Sequence, residues 1–280
     1  MRKMFFVAAM AACVMMACTQ DDASEVMDDV ETEQVTLTFS PYQMDAMTRA
    51  ATSISNYCTH LDVWLINGGD TIQVHQTTAD ADFGTVSVPL NKTKTYNIIA
   101  IAHKCDDDAV LADSVISFPD NKISHSMIYT DSFKPSSKNM SCEMSRIVGQ
   151  FRLEVADSVS LDVTKFEYTI KDTYNQWKVN NTGCNRIDRT GTINLTSRNA
   201  DGTANINIFV LPNNLTETTN VDITFRALTA DDKEKDKQVF KNVPIKAGYK
   251  TTYHGNFFVT DTIAAGFKCE DWSVFDVVNF

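Results

Sequence analysis

Leu61-Asp62-Val63-Trp64-Leu65-Ile66, then Asn67-Gly68-Gly69-Asp70, then Thr71-Ile72-Gln73-Val74 is the stretch on which the reading of the fold turns. The first six residues put apolar side chains on both faces of an extended chain. The Asn-Gly-Gly-Asp quartet is a hairpin signal, because glycine and asparagine accept the positive φ that tight turns need. Extended chain resumes in the four residues that follow. A strand, a turn and a strand start here, and the pattern continues in both directions.

Upstream, Val35-Thr36-Leu37-Thr38-Phe39 alternates apolar and polar residues with period two, and Pro41 ends it. Residues 43–58 read as a loop, with Arg49-Ala50 in its middle. Downstream, Thr85 to Leu90 is a strand, and Tyr96 to Ala102 fits a central strand by its length and flanks. Residues 109–143 are weakly patterned, with Ile123 to Phe133 the best strand among them. Further strands are expected at Gln150–Val155, Lys165–Ile170, Ile193–Leu195, Ile206–Val210, Val221–Phe225, Val239–Ile245 and Thr252–Val259. Short helical turns are expected at 109–115 and 229–237. Many short strands separated by turn residues indicate all-β sandwiches. A break near Met140 to Arg146 divides the chain into an N-terminal sandwich, 35–143, and a C-terminal one, 144–280. No close sequence repeat relates the two.

The N-terminus is of another kind. Arg2 and Lys3 precede an apolar run from Met4 to Met16, and polarity returns directly after Cys18. A charged start, an apolar stretch and a small residue before a cysteine make a secretory signal, too short to span a membrane. Met15-Met16-Ala17-Cys18 resembles the lipobox of bacterial lipoproteins, which implies cleavage before Cys18 and a lipid on its sulfur. Cys13 is the competing site. Residues 1–17 are then a signal peptide and 18–34 an acidic linker. That linker holds Asp21, Asp22, Glu25, Asp28, Asp29, Glu31 and Glu33. Like charges and few apolar groups keep it from folding. As a coil it spans roughly 20–25 Å, enough to lift the body off a bilayer.

The whole chain carries a net charge of −11 over 280 residues. Losing Arg2 and Lys3 makes the mature form −13, and the seven linker acids account for more than half of that. Nothing basic is clustered, which argues against nucleic acid as a partner. Five cysteines follow Cys18, at 58, 105, 142, 184 and 269. Their wide spacing without any CxxC speaks against zinc and for small buried thiols. There is no GxSxG, HExxH, phosphate loop or dinucleotide fingerprint, so no catalytic residue is expected and no cofactor is implied. The histidines, at 60, 75, 103, 125 and 254, are scattered; His103 with Cys105 makes only two ligands, short of a metal site. Carbohydrate sites need exposed aromatics, and Tyr174 with Trp177 is the pair best placed to contact a glycan.

Taken in order, these features resemble the fimbrial subunits and anchors of Bacteroidetes type V pili. The matching residues are the lipobox at Cys18, the strand before Arg49, Leu61 to Gly69, Tyr96 to Ala102, Met144 to Gly149, Val210-Leu211-Pro212 and Ala247 to Thr251. The resemblance implies two tandem transthyretin-like or Ig-like sandwiches on a lipid-anchored outer-membrane protein at the cell surface. It implies other pilus subunits as partners, joined by β-strand donation. In polymerising members, cleavage after an arginine placed like Arg49, leaving Ala50 first, removes the first strand. The alternatives are a polymerising or tip pilin, and a surface lipoprotein that binds a glycan or another host-surface ligand. The end of the chain, with Trp272, Val274, Phe275, Val277 and Phe280, is too apolar to stay in water. It is expected either to close its own second sandwich, the favoured case, or to act as a donor strand.

Overall fold

The computed structural model of the chain describes residues 31–42, 53–135, 138–196, 199 and 202–258. Sixteen strands run through them, joined by turns and two single-turn 3-10 helices at Ile54–Asn56 and Pro119–Asn121. The all-β sandwich architecture expected from the sequence is the one observed.

The first half contains β1 (Thr32–Pro41), β2 (His60–Asn67), β3 (Asp70–Thr77), β4 (Thr85–Asn91) and β5 (Tyr96–His103). After the short hairpin of β6 (Val110–Ala112) and β7 (Val115–Ser117) come β8 (Ser126–Phe133) and β9 (Asn139–Arg146). One layer is β3-β2-β5-β8 and the other β9-β1-β4, linked at a corner where β8 meets β9. The second half contains β10 (Gly149–Val155), β11 (Val163–Lys178), β12 (Thr182–Asn194), β13 (Ala204–Val210), β14 (Thr219–Thr229), β15 (Glu234–Ile245) and β16 (Lys250–Gly255). Its layers are β13-β10-β16 and β15-β14-β11, with β12 on the far side of β11.

The two halves share one topology. In each, the first strand lies between the last strand, which runs parallel to it, and the fourth, which runs antiparallel: β1 beside β9 and β4, β10 beside β16 and β13. In each, the second strand pairs with the third and with its next partner, as β2 does with β3 and β5, and β11 with β12 and β14. The fold therefore repeats where the sequence does not. The β6–β7 hairpin is the insertion that breaks the symmetry. It leaves the first half and pairs, through Val115–Ser117, with Gln176–Lys178 of β11.

Three apolar clusters follow from this. Val35, Leu37, Leu61, Val63, Leu65, Ile98 and Ala100 fill the first sandwich. Phe151, Phe166, Phe225 and Phe240 dominate the second. A third cluster joins the halves: Trp64, Ile99, Ile101 and Ile128 from the outer face of β2-β5-β8 meet Ile116, Ile147, Val148, Trp177 and Leu211. This is why Leu61–Ile66 is apolar on both faces. From Thr32 onward the described residues belong to one compact unit.

Four local expectations are corrected. The linker expected over 18–34 ends earlier, because Thr32–Gln34 already belong to β1, where Glu33 pairs with Lys92. Residues 109–115 form no helix; Asp113 and Ser114 take positive φ (49° and 62°) and close a hairpin. Residues 229–237 form no helix either: 230–233 turn between β14 and β15, with Asp232 at φ 61°, and 234–237 open β15. The charges there pair with neighbouring strands and turns: Arg226 with Glu234, Lys165 with Asp232 and Lys235 with Asp162. The break expected near Met140 to Arg146 is strand β9, whose inward residues Cys142 and Met144 are weak β signals. The junction is Ile147-Val148, both buried. Gly149 must be glycine there, because a Cβ would lie 2.6 Å from the Lys246 carbonyl oxygen.

Trp177 has no exposed surface and sits in the cluster between the halves. Trp177→Ala is expected to cost about 3–5 kcal/mol, the range for large aromatic truncations in a core. Urea unfolding of the two proteins measures it; a loss under 1 kcal/mol would mean that the shared core contributes little.

Candidate functional site

A strand that begins a sandwich and is hydrogen-bonded on both sides fills a groove between its neighbours. β1 meets that description among the described residues. Thr32 to Thr38 pair antiparallel with Asn91 to Thr85 of β4, and Thr36 to Pro41 pair parallel with Asn139 to Met144 of β9. The Tyr42 amide continues the second ladder by donating to the Met144 carbonyl at 2.8 Å. Period-two alternation decides which side chains enter the core: Val35, Leu37 and Phe39 are buried. Phe39 meets the ring of Tyr129 edge-on at 6.3 Å.

Polar groups fix the register on the other face. Thr36 Oγ1 lies 2.9 Å from Ser87 Oγ on β4. The Glu33 carboxylate pairs with Lys92 at 3.1 Å and reaches Lys138 at 3.8 Å, one on each flank of the strand. These partly exposed pairs are worth little energy. The three apolar side chains contribute most: roughly 1.5–3 kcal/mol each, together about 5–9 kcal/mol. That is comparable with the whole stability of an ordinary domain, about 5–15 kcal/mol. Loss of β1 would therefore cost a large part of that stability and open a groove between β4 and β9.

A second cluster gathers at the edge of the first sandwich. Register brings it together: His60 lies opposite His103 on β5, and Asp62 opposite His75 on β3. Asp62 is fully buried. Its carboxylate accepts from His75 Nδ1 at 2.9 Å, from His103 Nε2 at 3.0 Å and from the Ala109 amide at 3.0 Å. Burial works to raise its pKa, but these three bonds together hold it below the usual carboxylate range. The Cys105 amide lies 3.3 Å from His103 Nδ1, on the side of the ring opposite the Nε2 contact with Asp62. His75 Nε2 then faces Asp108 Oδ1 at 3.0 Å. His60 stacks on His103 at 5.3 Å, and burial, His103 and His75 all lower its pKa. Ligand atoms of His60, His75 and Asp108 lie within 4.8 Å of one another. Along the sequence the histidines are scattered, and His103 with Cys105 makes only two ligands. Cross-strand register, absent from a linear reading, assembles them.

The other expected residues fare differently. Cys18, Arg49, Ala50, Trp272, Val274, Phe275, Val277 and Phe280 lie outside the described residues. Trp177 is corrected as a glycan contact: fully buried, its ring presents no face to a sugar. Tyr174 is half-buried, with its hydroxyl donating to Asn213 at 3.0 Å and the Arg186 guanidinium 5.0 Å above its ring. Cys58, Cys105, Cys142 and Cys184 are free thiols, the first three of them buried. Burial pushes Cys58 and Cys142 up to about 12, which leaves both protonated and unreactive.

No family model matches the chain, and no curated protein matches it in sequence. Solved structures do. A candidate cell-adhesion protein from Bacteroides ovatus superposes with a TM-score of 0.52 at 12% identity, over 88% of this chain and 100% of that one. A candidate polysaccharide-binding protein from Bacteroides thetaiotaomicron gives 0.51 at 10% identity, over 80% and 92%. The fimbrial anchor protein Mfa2 from Porphyromonas gingivalis gives 0.44 at 10% identity, over 79% and 90%. At such identities the likeness is one of fold. The chain shares an all-β fold with the first two proteins.

Deleting residues 1–42 should lower the urea midpoint sharply. A synthetic peptide of residues 31–42, added in excess, should restore it saturably, whereas the same peptide with Leu37→Asp should not. Equal rescue by both peptides, or no loss on deletion, would show that β1 does not hold the groove.

Proposed function

We propose that this protein is a lipid-anchored fimbrial subunit of the bacterial outer-membrane surface. Its role is structural: an anchor or accessory subunit that assembles with other pilins by strand donation. The observation that carries the reading is the position of β1. It is the first strand among the described residues, it is hydrogen-bonded on both sides, and Val35, Leu37 and Phe39 are buried. The shared fold with a candidate cell-adhesion protein supports the same reading. Cys18 supplies the lipid, residues 18–31 the spacer, and residues 32–146 and 149–280 the two sandwiches. Anchoring is stable when two or more acyl chains are attached, since a single chain binds only marginally.

An anchor keeps both its lipid and its first strand. A polymerising subunit loses both when the chain is cut after Arg49, and its apolar end then fills the groove of a neighbour.

Membrane fractionation and N-terminal analysis of the surface form test the proposal. The expected results are a mature start at a lipidated Cys18 and release of Cys18→Ala into soluble fractions. A start at Ala50 would exclude the anchor role and make the chain a polymerising pilin. Deleting residues 267–280 should destabilise the monomer by several kcal/mol, at roughly 1.5–3 kcal/mol per large apolar side chain. An unchanged melt with failed assembly would make the end of the chain a donor instead.

A further inference from the structure

We propose that His60, His75 and Asp108 form a binding site for a divalent transition metal, zinc foremost, with Asp62 as the buried group that orients His75. Two imidazoles and a carboxylate are a donor set for zinc, and the open fourth position suits water or a partner's ligand.

The orientation of His75 is the main argument. Metal-bound histidines commonly donate their second ring N–H to a carboxylate, which fixes the ring and raises its basicity. Asp62 does this here: its Oδ1 takes the His75 Nδ1 proton at 2.9 Å and leaves Nε2 aimed outward at Asp108. Asp62 cannot itself turn away, because its Oδ2 is held by His103 and by the Ala109 amide. It is fully buried, whereas the His75 and Asp108 side chains are 30% and 54% exposed, so an ion can enter from solvent.

His60 is the second argument. A surface ion pair between His75 and Asp108 needs no third group. His60 nevertheless places a ring nitrogen within 4.8 Å of both other ligand atoms. Thr59 Oγ1 holds its Nδ1 at 2.9 Å, and stacking on His103 steadies the ring. Ligands of a tetrahedral zinc with bonds of about 2.0–2.1 Å lie roughly 3.4 Å apart.

The site has a mechanical consequence. His60 and His75 belong to neighbouring strands of the sheet, while Asp108 lies on the segment that leaves β5 for the β6–β7 hairpin. Ala109, directly after it, is buried in the cluster between the two sandwiches. A bound ion would clamp the departing segment to the edge of the first sandwich.

The test uses the full-length chain without an affinity tag, in detergent, after removal of metals with a chelator. Cobalt(II) is titrated first, as a spectroscopic stand-in, and then displaced by zinc. One cobalt per chain, with the strong visible absorption of a four-coordinate ion, and a rise in melting temperature with zinc are expected. His60→Ala, His75→Ala and Asp108→Ala should each abolish the spectrum while remaining folded by circular dichroism. Asp62→Asn keeps the ligands and should weaken zinc by about 10- to 100-fold. Should that buried variant fail to fold, the three exposed substitutions still decide the matter. His254→Ala, on β16 beside Glu154, should change nothing. Binding that survives all three ligand substitutions, weak six-coordinate absorption, or no binding at all would overturn the proposal.

Discussion

The structure depends on one covered surface. The outer face of β2-β5-β8 carries Trp64, Ile99, Ile101 and Ile128, which an isolated sandwich would leave in water. Ile116, Ile147, Val148, Trp177 and Leu211 cover it. Two sandwiches with a polar linker would be free to move. Here the connection is two buried residues, and the β6–β7 hairpin crosses to extend the second half's sheet beside β11. Burial of apolar area, rather than a matched set of polar contacts, ties the halves together.

The same surface explains what could be read from the sequence. Strands half-covered by solvent announce themselves by alternation, and β1, β10, β13 and β14 do so. The doubly apolar Leu61–Ile66 signalled a covered sheet without saying what covers it. β9 was missed because its inward residues are a cysteine and a methionine. The long hairpin of β11 and β12 was only partly seen, since a bulge between Ile170 and Thr173 interrupts the alternation, with Asp172 at φ 51°. The structural repeat was invisible because topology constrains which positions are apolar, not which residues fill them. The His60–His75–Asp108 cluster was invisible for a different reason. Its members meet only through the register of three strands and the path of a loop.

Repetition makes β1 and β10 equivalent in place and unequal in freedom. Both are first strands, parallel to the last strand of their sandwich. Each contributes alternate side chains to a core: Val35, Leu37 and Phe39 from β1, Phe151, Leu153 and Val155 from β10. Replacing either by a foreign strand would recover similar area. The difference lies in the connections. β10 follows β9 after two buried residues, and Gly149 brings its backbone against Lys246. It cannot leave without opening the shared cluster.

β1 has no such tie. Residues 43–52 separate it from the next described segment, and its other end leads only to Glu31 and the acidic stretch. A chain break in that connection would cost the body only the contacts of β1 itself, and the vacated groove would present two ladder edges and three apolar positions. Two equivalent grooves with one of them locked leave a single place for a donated strand.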